Sequence, residues 1–262
     1  MTHIDKLRVA IVVASRDESV DLWQPLFTLF RKHWPNCPFP LYLVSNTLSY
    51  GDMGVSTILV GADRSWSDTL HSGLSQLQEE YVLLWIDDHF LMEPVKAATV
   101  LGAVNALLRL GGNYLRLPAL PQPDQPWNDY FGVISKGAVY RTSVVASLWK
   151  KTMLERLLQP GESAWDFETA GAARSDQYDG FFSTWRSCFA IENLLIKGRV
   201  RSAARRRIER TLSHAFKLSH PIMSPVEEAE FALRMVGNRA LVKLPRRWAK
   251  RVRNAVLRRR GM

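Results

Sequence analysis

The 262-residue chain has little cysteine and no long apolar segment. Its two cysteines, Cys37 and Cys188, allow at most one disulfide, and two packed thiols in a reducing compartment are the favoured interpretation. No apolar run approaches the roughly 20 residues needed to span a bilayer. The N-terminus also lacks the apolar stretch and cleavage site of a signal peptide. These absences favour a cytoplasmic protein.

Several common catalytic motifs are missing as well. Neither common type of glycine-rich phosphate loop occurs, and there is no metal-ligating cysteine pair and no His-Glu-x-x-His. The first apolar run ends in Ser15-Arg16-Asp17-Glu18, which contains none of the glycines of a dinucleotide-binding turn. A nicotinamide cofactor is therefore not expected.

What the chain does have is an uneven distribution of charge. Residues 1–196 carry 16 Lys and Arg against 21 Asp and Glu, whereas residues 197–262 carry 19 against 4. The body is thus mildly acidic and the C-terminal quarter strongly basic, which predicts a negatively charged partner for that quarter.

Apolar runs and helical periodicities alternate over the first third of the chain. Four runs predict strands: Leu7–Ser15, Pro40–Ser45, Val55–Val60 and Tyr81–Ile86. Helical spacing predicts a helix over 23–34 and a second one capped by Ser67. This alternation predicts a doubly wound, mostly parallel sheet with flanking helices.

The remaining pattern continues with shorter elements. We expect a helix over 94–110 ended by Gly111-Gly112, and an aromatic-rich loop over 118–130 near the functional site. Further predictions are strands over 113–117, 131–135, 138–142, 181–185 and 188–196, and a helix capped by Ser143 that runs to Leu158. We therefore divide the chain into an α/β domain over 1–197 and a basic helical extension over 198–262.

The most informative stretch is the strand Tyr81–Ile86 with the residues that follow it. The strand is apolar throughout, and Asp87, Asp88 and His89 come directly after it. In parallel sheets the ligand site lies beyond the carboxyl ends of the strands. Oxygen and nitrogen ligands there can hold a divalent cation, Mn²⁺ or Mg²⁺, and through it a phosphate. A solvated turn after a strand is the simpler alternative.

A second candidate is Trp165-Asp166-Phe167-Glu168. Aromatic rings beside carboxylates form a patch on which a sugar could stack. Partial burial would raise the pKa of an acid there towards that of a general base. The alternative is the first turn of a helix, where acids are favoured by the helix dipole.

The basic C-terminus is the third candidate. Residues 243–260 contain nine Lys and Arg, and an apolar stripe runs through Leu241, Leu244, Trp248, Val252, Ala255 and Val256. This pattern is typical of a helix on an anionic membrane, but also of a helix docked on the body. The arginines at 199, 201 and 205–207 could meet lipid phosphate or a nucleotide diphosphate, and nucleic acid is a minor option.

Three segments together resemble bacterial nucleotide-sugar-dependent glycosyltransferases of the A-type fold, of the surface-polysaccharide kind. These segments are the opening strand Val9–Ser15, Trp66-Ser67 before Tyr81–Asp88, and the later Trp165–Glu168. The resemblance covers roughly residues 7–200. It implies that Asp87, Asp88 and His89 stand where an Asp-x-Asp motif binds metal and the sugar nucleotide. It also implies that Asp166 and Glu168 are the catalytic candidates.

The same resemblance implies a nucleotide-sugar donor and a saccharide acceptor, in this case lipid-linked at the cytoplasmic face of a membrane. The residues expected to contact the donor are Ser15, Asp17, Asp63, Trp66, Asp87, Asp88 and Trp165. Inversion would need a base, whereas retention would not. A nucleotidyltransferase, or a non-enzymatic protein that binds membranes or nucleic acid, remains the alternative.

Overall fold

The computed structural model describes residues 8–242 and residue 251, with side chains described for 8–233 and 251. It contains thirteen strands within the described residues, which are β1 Val9–Ala14, β2 Leu41–Ser45, β3 Val55–Leu59, β4 Tyr81–Ile86, β5 His89–Leu91, β6 Tyr114–Arg116, β7 Gln125–Pro126, β8 Phe131–Val133, β9 Ser147–Lys150, β10 Phe181–Thr184, β11 Ile191–Asn193, β12 Leu195–Ile196 and β13 Arg199–Val200.

The helices of the described part are α1 Val20–His33, α2 Trp66–Leu74, α3 Ala97–Leu110, α4 Lys151–Leu157, α5 Ala164–Asp166, α6 Ala172–Arg174, α7 Ser202–Leu212 and α8 Pro225–Val242. A π-helical turn, Phe167–Gly171, joins α5 to α6, and short 3₁₀ turns occupy Asp17–Ser19 and Ser175–Gln177. No helix in this described part is long and apolar enough to cross a membrane.

Nine strands form one central sheet in the order β3-β2-β1-β4-β9-β6-β10-β8-β7. Strands β1 to β4 are parallel, with Val13 opposite Trp85 and Ala14 opposite Ile86. Strand β9 runs antiparallel between β4 and β6, and β10 is parallel to β6. The expectation of a mostly parallel sheet flanked by helices is confirmed.

The two faces of β1 bury into two different layers, because successive side chains of a strand point to opposite sides. Val9, Ile11 and Val13 pack with apolar residues of α1 and α3. Ala10 and Val12 pack with α2 and α4 instead. All six residues of β1 and the first five of β4 are buried, which explains why their sequences are continuous apolar runs.

Two predictions between residues 138 and 158 are wrong. The segment 138–142 is not a strand, because Arg141 lies buried there and donates to the backbone carbonyls of Ile134, Ser175 and Tyr178. The predicted helix from Ser143 is a strand, β9, followed by the short helix α4. Leu148 and Trp149 bury on opposite faces of the sheet, and this two-sided burial overrides the helical spacing.

Other element boundaries differ by a few residues. Helix α2 is capped by Ser65, whose Oγ accepts the amide of Asp68 at 3.1 Å, rather than by Ser67. Helix α3 begins at Ala97 instead of Pro94, and it ends as predicted at Gly111, in the left-handed conformation. The predicted strand over 188–196 is divided into β11 and β12.

Residues 198–233 pack against the α/β body. Strand β13 pairs with β12, Val200 and Ile208 are buried in the main core, and Lys32 Nζ donates to the Thr211 carbonyl at 2.5 Å. The proposed membrane-facing stripe from Leu244 onward lies outside the described residues. Cys37 and Cys188 are both free thiols, as expected.

Candidate functional site

A cavity of about 560 Å³ opens at the carboxyl ends of β1 and β4. Its floor carries Ser15, Asp87, Asp88 and His89, which follow directly from the two strands. The parallel register of β1 and β4 brings these strand ends together, as the position of ligand sites in such sheets requires. The strand-end acids therefore face a cavity large enough for a ligand.

Asp87 is held by a chain of hydrogen bonds. Trp23 Nε1 donates to Ser15 Oγ at 2.7 Å, and Ser15 Oγ donates to Asp87 Oδ2 at 2.6 Å. Burial and the neighbouring Asp88 carboxylate raise the pKa of Asp87 to about 6, although the Ser15 and Ser19 hydroxyls oppose the shift. Asp87 is thus a fixed acid that changes charge near neutral pH.

Asp88 and His89 form a pair. His89 Nδ1 lies 2.7 Å from Asp88 Oδ1, and the His89 carbonyl accepts the Trp85 indole at 2.6 Å. Burial lowers the pKa of His89, but the carboxylates of Asp88, Glu168 and Asp87 outweigh it and raise the pKa above the ordinary value. A positively charged imidazole is therefore favoured among these acids.

The predicted metal ligands do not converge on one point. One oxygen of Asp87 accepts the Ser15 hydroxyl, while Asp88 Oδ1 and His89 Nδ1 lie in close contact with each other. Within the described residues no group of three or more His, Cys, Asp or Glu side chains could hold a metal ion. The described side chains alone therefore show no preformed cation site.

Asp17 turns away from the cavity and stabilises a loop. Its carboxylate accepts the amides of Asn46, Thr47 and Leu48 at 3.0–3.2 Å, and the Thr47 hydroxyl at 2.5 Å. Slight burial raises the pKa of Asp17, but these hydrogen bonds outweigh it and the net pKa is lowered. Asp17 is not brought together with Ser15 in the cavity wall.

The two catalytic candidates occupy different environments. Asp166 forms a capping box with Ser163, whose amide and hydroxyl both donate to Asp166 Oδ2, and it does not line the cavity. Glu168 lies in the π-helical turn and does line the cavity. The helix-start interpretation therefore describes Asp166, whereas Glu168 is the acid that joins Asp87, Asp88 and His89.

Glu168 is positioned by the loop before β9. Its Oε1 accepts the Ser143 hydroxyl at 2.9 Å and the Val144 amide at 3.0 Å, while Oε2 has no hydrogen-bond partner in the described part of the chain. Burial raises the pKa of Glu168 above its ordinary value, although those two bonds and the charges of Arg116 and His89 oppose it. The carboxyl therefore keeps one free oxygen and a raised basicity.

The other predicted donor contacts lie on the cavity wall. Asp63 lies just before α2, and Trp66 is the first residue of that helix. Trp165 lies in α5 and lines the cavity with its side chain half exposed. The Trp66 ring packs against Phe167 with 5.6 Å between centroids, and its indole nitrogen is buried without a partner in the described residues. These three residues are brought together with Asp87 and Glu168.

The polar residues of the cavity wall that were not expected from the sequence include Arg64, Asn193, Lys197 and His220. Lys197 lies at the tip of the β12–β13 hairpin with φ of 51°, followed by Gly198 with φ of 71°. Two successive left-handed residues, the second a glycine, are typical of a hairpin turn. That Lys-Gly pair between short apolar runs was the available signal, and none marked His220.

The arginines expected to meet phosphate are largely paired with acids. Arg201 and Arg207 share Glu192, with nitrogen–oxygen distances of 2.9 and 2.8 Å. Arg199 pairs with Glu227 and Arg205 with Glu209. These four guanidiniums stabilise the packing of residues 198–233 and do not line the cavity. The loop expected near the site is also elsewhere, because Trp127 and Tyr130 line a different groove.

No family model matches this sequence, and none of the curated proteins compared with it does. Solved structures with a similar fold include residues 1–349 of TarS from S. aureus in complex with UDP-GlcNAc. The match to that structure has a TM-score of 0.50 and 12% identity, and covers 70% of this chain and 57% of that chain. This chain therefore spans less than two thirds of the TarS fragment.

Two further similar structures are the mannosyltransferase PcManGT from Pyrobaculum calidifontis in complex with GDP-Man and Mn²⁺, and a UTP-bound UGPase from Acinetobacter baumannii. The first is 15% identical over 97% of this chain and 75% of that chain, with a TM-score of 0.48. The second is 10% identical over 88% and 99%, also with a TM-score of 0.48. The likeness to TarS shows the fold alone, a Rossmann-like, mostly parallel sheet with flanking helices.

Proposed function

We propose that the protein is a glycosyltransferase that moves a sugar from a nucleoside-diphosphate donor to a hydroxyl of a saccharide acceptor. One observation carries the proposal: Glu168, with a raised pKa and a free carboxylate oxygen, lines the same cavity as the strand-end residues Asp87, Asp88 and His89. The fold shared with TarS, whose structure contains UDP-GlcNAc, supports a nucleotide sugar as donor.

In this proposal Glu168 Oε2 takes the proton of the acceptor hydroxyl. The acceptor oxygen then forms a bond to the anomeric carbon of the donor, and the bond from that carbon to the diphosphate oxygen breaks. The nucleoside diphosphate leaves with the electron pair. A base placed opposite the leaving group corresponds to inversion of the anomeric centre.

Positive charge on the cavity wall would stabilise the leaving diphosphate. Arg64 and Lys197 line the cavity, and the pKa of His89 is raised by the surrounding carboxylates. A cation placed where negative charge develops lowers the barrier of group transfer. The acceptor in this proposal is lipid-linked, and the basic C-terminus holds the enzyme at the cytoplasmic face of an anionic membrane.

The two acids at 166 and 168 allow a matched test. Glu168→Gln should lower the turnover number by about 10²–10⁴-fold, the usual contribution of a general base. Nucleotide binding, measured by thermal shift with nucleoside diphosphates, should remain. Asp166→Asn keeps a capping side chain outside the cavity and should change turnover by less than about twofold.

Turnover is measured as nucleoside diphosphate released from a panel of UDP-, GDP- and dTDP-sugars with pooled saccharide acceptors, with and without Mn²⁺. Loss of activity in Asp166→Asn but not in Glu168→Gln would contradict the assigned roles. Release of pyrophosphate from a nucleoside triphosphate and a sugar phosphate, with no diphosphate release, would identify a nucleotidyltransferase instead.

A further inference from the structure

A second groove of about 420 Å³ lies between the C-terminal half of α3 and the loop that leads into β8. Two aromatic side chains of that loop are unusually exposed, since Trp127 is 55% and Tyr130 42% accessible. The opposite wall is formed by Ala106, Arg109 and Leu110 of α3. None of these residues lines the cavity that contains Asp87 and Glu168.

The aromatic wall is rigidly built. Trp127 packs on Phe182 with 5.5 Å between ring centroids. Asn128 Oδ1 accepts the amides of Tyr130 and Phe131 at 2.8 and 3.0 Å, and the carbonyl of Asn128 accepts the Trp185 indole at 2.9 Å. Exposed aromatic rings held in place by this many contacts form a preorganised surface.

Tyr130 additionally depends on a glycine of α3. A Cβ atom at position 102 would lie 2.5 Å from Tyr130 Cε1, so the ring rests directly on the helix backbone at Gly102. Glycine in the middle of a helix costs about 0.5–1 kcal/mol of stability relative to alanine. At this position it is needed for the close approach of the Tyr130 ring.

The polar groups around the groove are available to a ligand. Arg109, Asp129, the Trp127 indole nitrogen and the Tyr130 hydroxyl make no hydrogen bond or ion pair with any described residue. The groove thus combines flat apolar faces with donors and an acceptor at their edges. Its one basic and one acidic side chain leave it without net charge.

We propose that this groove binds a neutral saccharide chain. The C–H face of a sugar ring is apolar and stacks on an aromatic ring, while its hydroxyls both donate and accept hydrogen bonds. A nucleic acid also stacks on aromatic rings, but it requires an excess of cations for its phosphates, which this groove does not have.

The groove deepens the proposed function by naming a part of the acceptor, and to that extent rests on it. Phe131 pairs with Thr184 at the carboxyl end of β10, which runs in the same direction as β4. Strand β8 is the fourth from β4, so the two are about 19 Å apart across the sheet at the usual strand spacing. A saccharide held in the groove would therefore be a part of the acceptor distant from the hydroxyl that receives the sugar.

The test is affinity gel electrophoresis of the full chain in gels containing dextran, soluble starch, galactomannan or xylan. Neutral polymers are used because the basic C-terminus would retard the protein in anionic ones. At least one polymer should retard the native protein. Trp127→Ala should weaken that binding by tenfold or more, Trp127→Phe should restore most of it, and Gly102→Ala should weaken it by displacing Tyr130.

Leu59→Ala serves as the control, because Leu59 is similarly exposed at the opposite edge of the sheet. Thermal shift with nucleoside diphosphates should be identical in Trp127→Ala and the native protein, which separates this site from the proposed catalytic cavity. Absence of retardation in every neutral polymer overturns the inference. So does equal retardation of Trp127→Ala, or binding to an RNA homopolymer that depends on Trp127 where no polysaccharide binds.

Discussion

Asp87→Asn is expected to make the protein more stable at neutral and alkaline pH. The Asp87 carboxyl is buried beside Asp88, and these two causes raise its pKa from 3.8 to about 6. Asparagine has nearly the same shape and can still accept the hydrogen bond of Ser15 Oγ. The substitution therefore removes a buried negative charge without leaving a cavity.

The size of the effect follows from linkage between ionisation and folding. A folded-state pKa above the unfolded value means that the stability contributed by the neutral carboxyl is complete below pH 3.8 and is lost as pH rises through about 6. At 1.36 kcal/mol per pKa unit, the ionised side chain costs about 3 kcal/mol at pH 8. Asp87→Asn should recover up to that amount at pH 8, and the gain should vanish near pH 4.

The assay is urea unfolding at 25 °C at several pH values between 4 and 8. Asp17→Asn is the matched control, because hydrogen bonds from Thr47 and its neighbours lower the pKa of Asp17. Its sign is opposite: Asp17→Asn should be less stable than the native protein throughout this pH range, because the stability from a lowered pKa is lost only below the ordinary value of 3.8. A difference between Asp87→Asn and the native protein that is constant from pH 4 to 8, or a loss of stability at pH 8, would refute the reasoning.

Two further predictions concern packing and ion pairs. Gly73→Ala places a Cβ 2.7 Å from a valine methyl of β2 and should lower the free energy of unfolding by about 1–3 kcal/mol. Gly51→Ala is the control and should not change the melting temperature, because a Cβ there has nothing within 4 Å. Glu192→Gln removes the carboxylate shared by Arg201 and Arg207, and urea unfolding should show a loss of about 1–3 kcal/mol, since partly buried hydrogen bonds to charged groups contribute that much. A stability equal to that of the native protein in Gly73→Ala or in Glu192→Gln contradicts the assigned contacts.

The half of the sheet with parallel strands could be predicted from the sequence, and the mixed half could not. Strands β1 and β4 are buried on both faces, so their burial appears directly as uninterrupted apolar runs. Strand β9 also has two buried faces, but Ser143 and the spacing of Val144, Leu148 and Met153 fit a helix equally well. Short apolar runs of this kind are decided by tertiary pairing, here with β4 and β6 on either side.

The residues of the candidate site also divide into those that could be located from the sequence and those that could not. Asp87, Asp88 and His89 could be found because a residue after a core strand has a determined location at the edge of the sheet. Glu168 could be named but not separated from Asp166, because that required the bonds from Ser143 and Val144, which lie more than twenty residues earlier. Lys197 and His220 reach the cavity only through the folding of residues 195–223 over the body.

The acids that line the cavity differ energetically from the acids that stabilise loops and helix ends. Asp166 and Asp17 have carboxylates engaged by nearby backbone amides, which is the usual role of an acid in a folded chain. Asp87 and Glu168 are different, since burial raises the pKa of both and their ionised forms destabilise the folded protein. Two such groups on one cavity, next to an imidazole that their charge favours in the protonated state, are typical of a site that binds and transforms a ligand. If Asp87→Asn gains stability at pH 8 while losing nucleotide binding, then the buried Asp87 carboxylate lowers the stability of the folded protein and is needed for ligand binding.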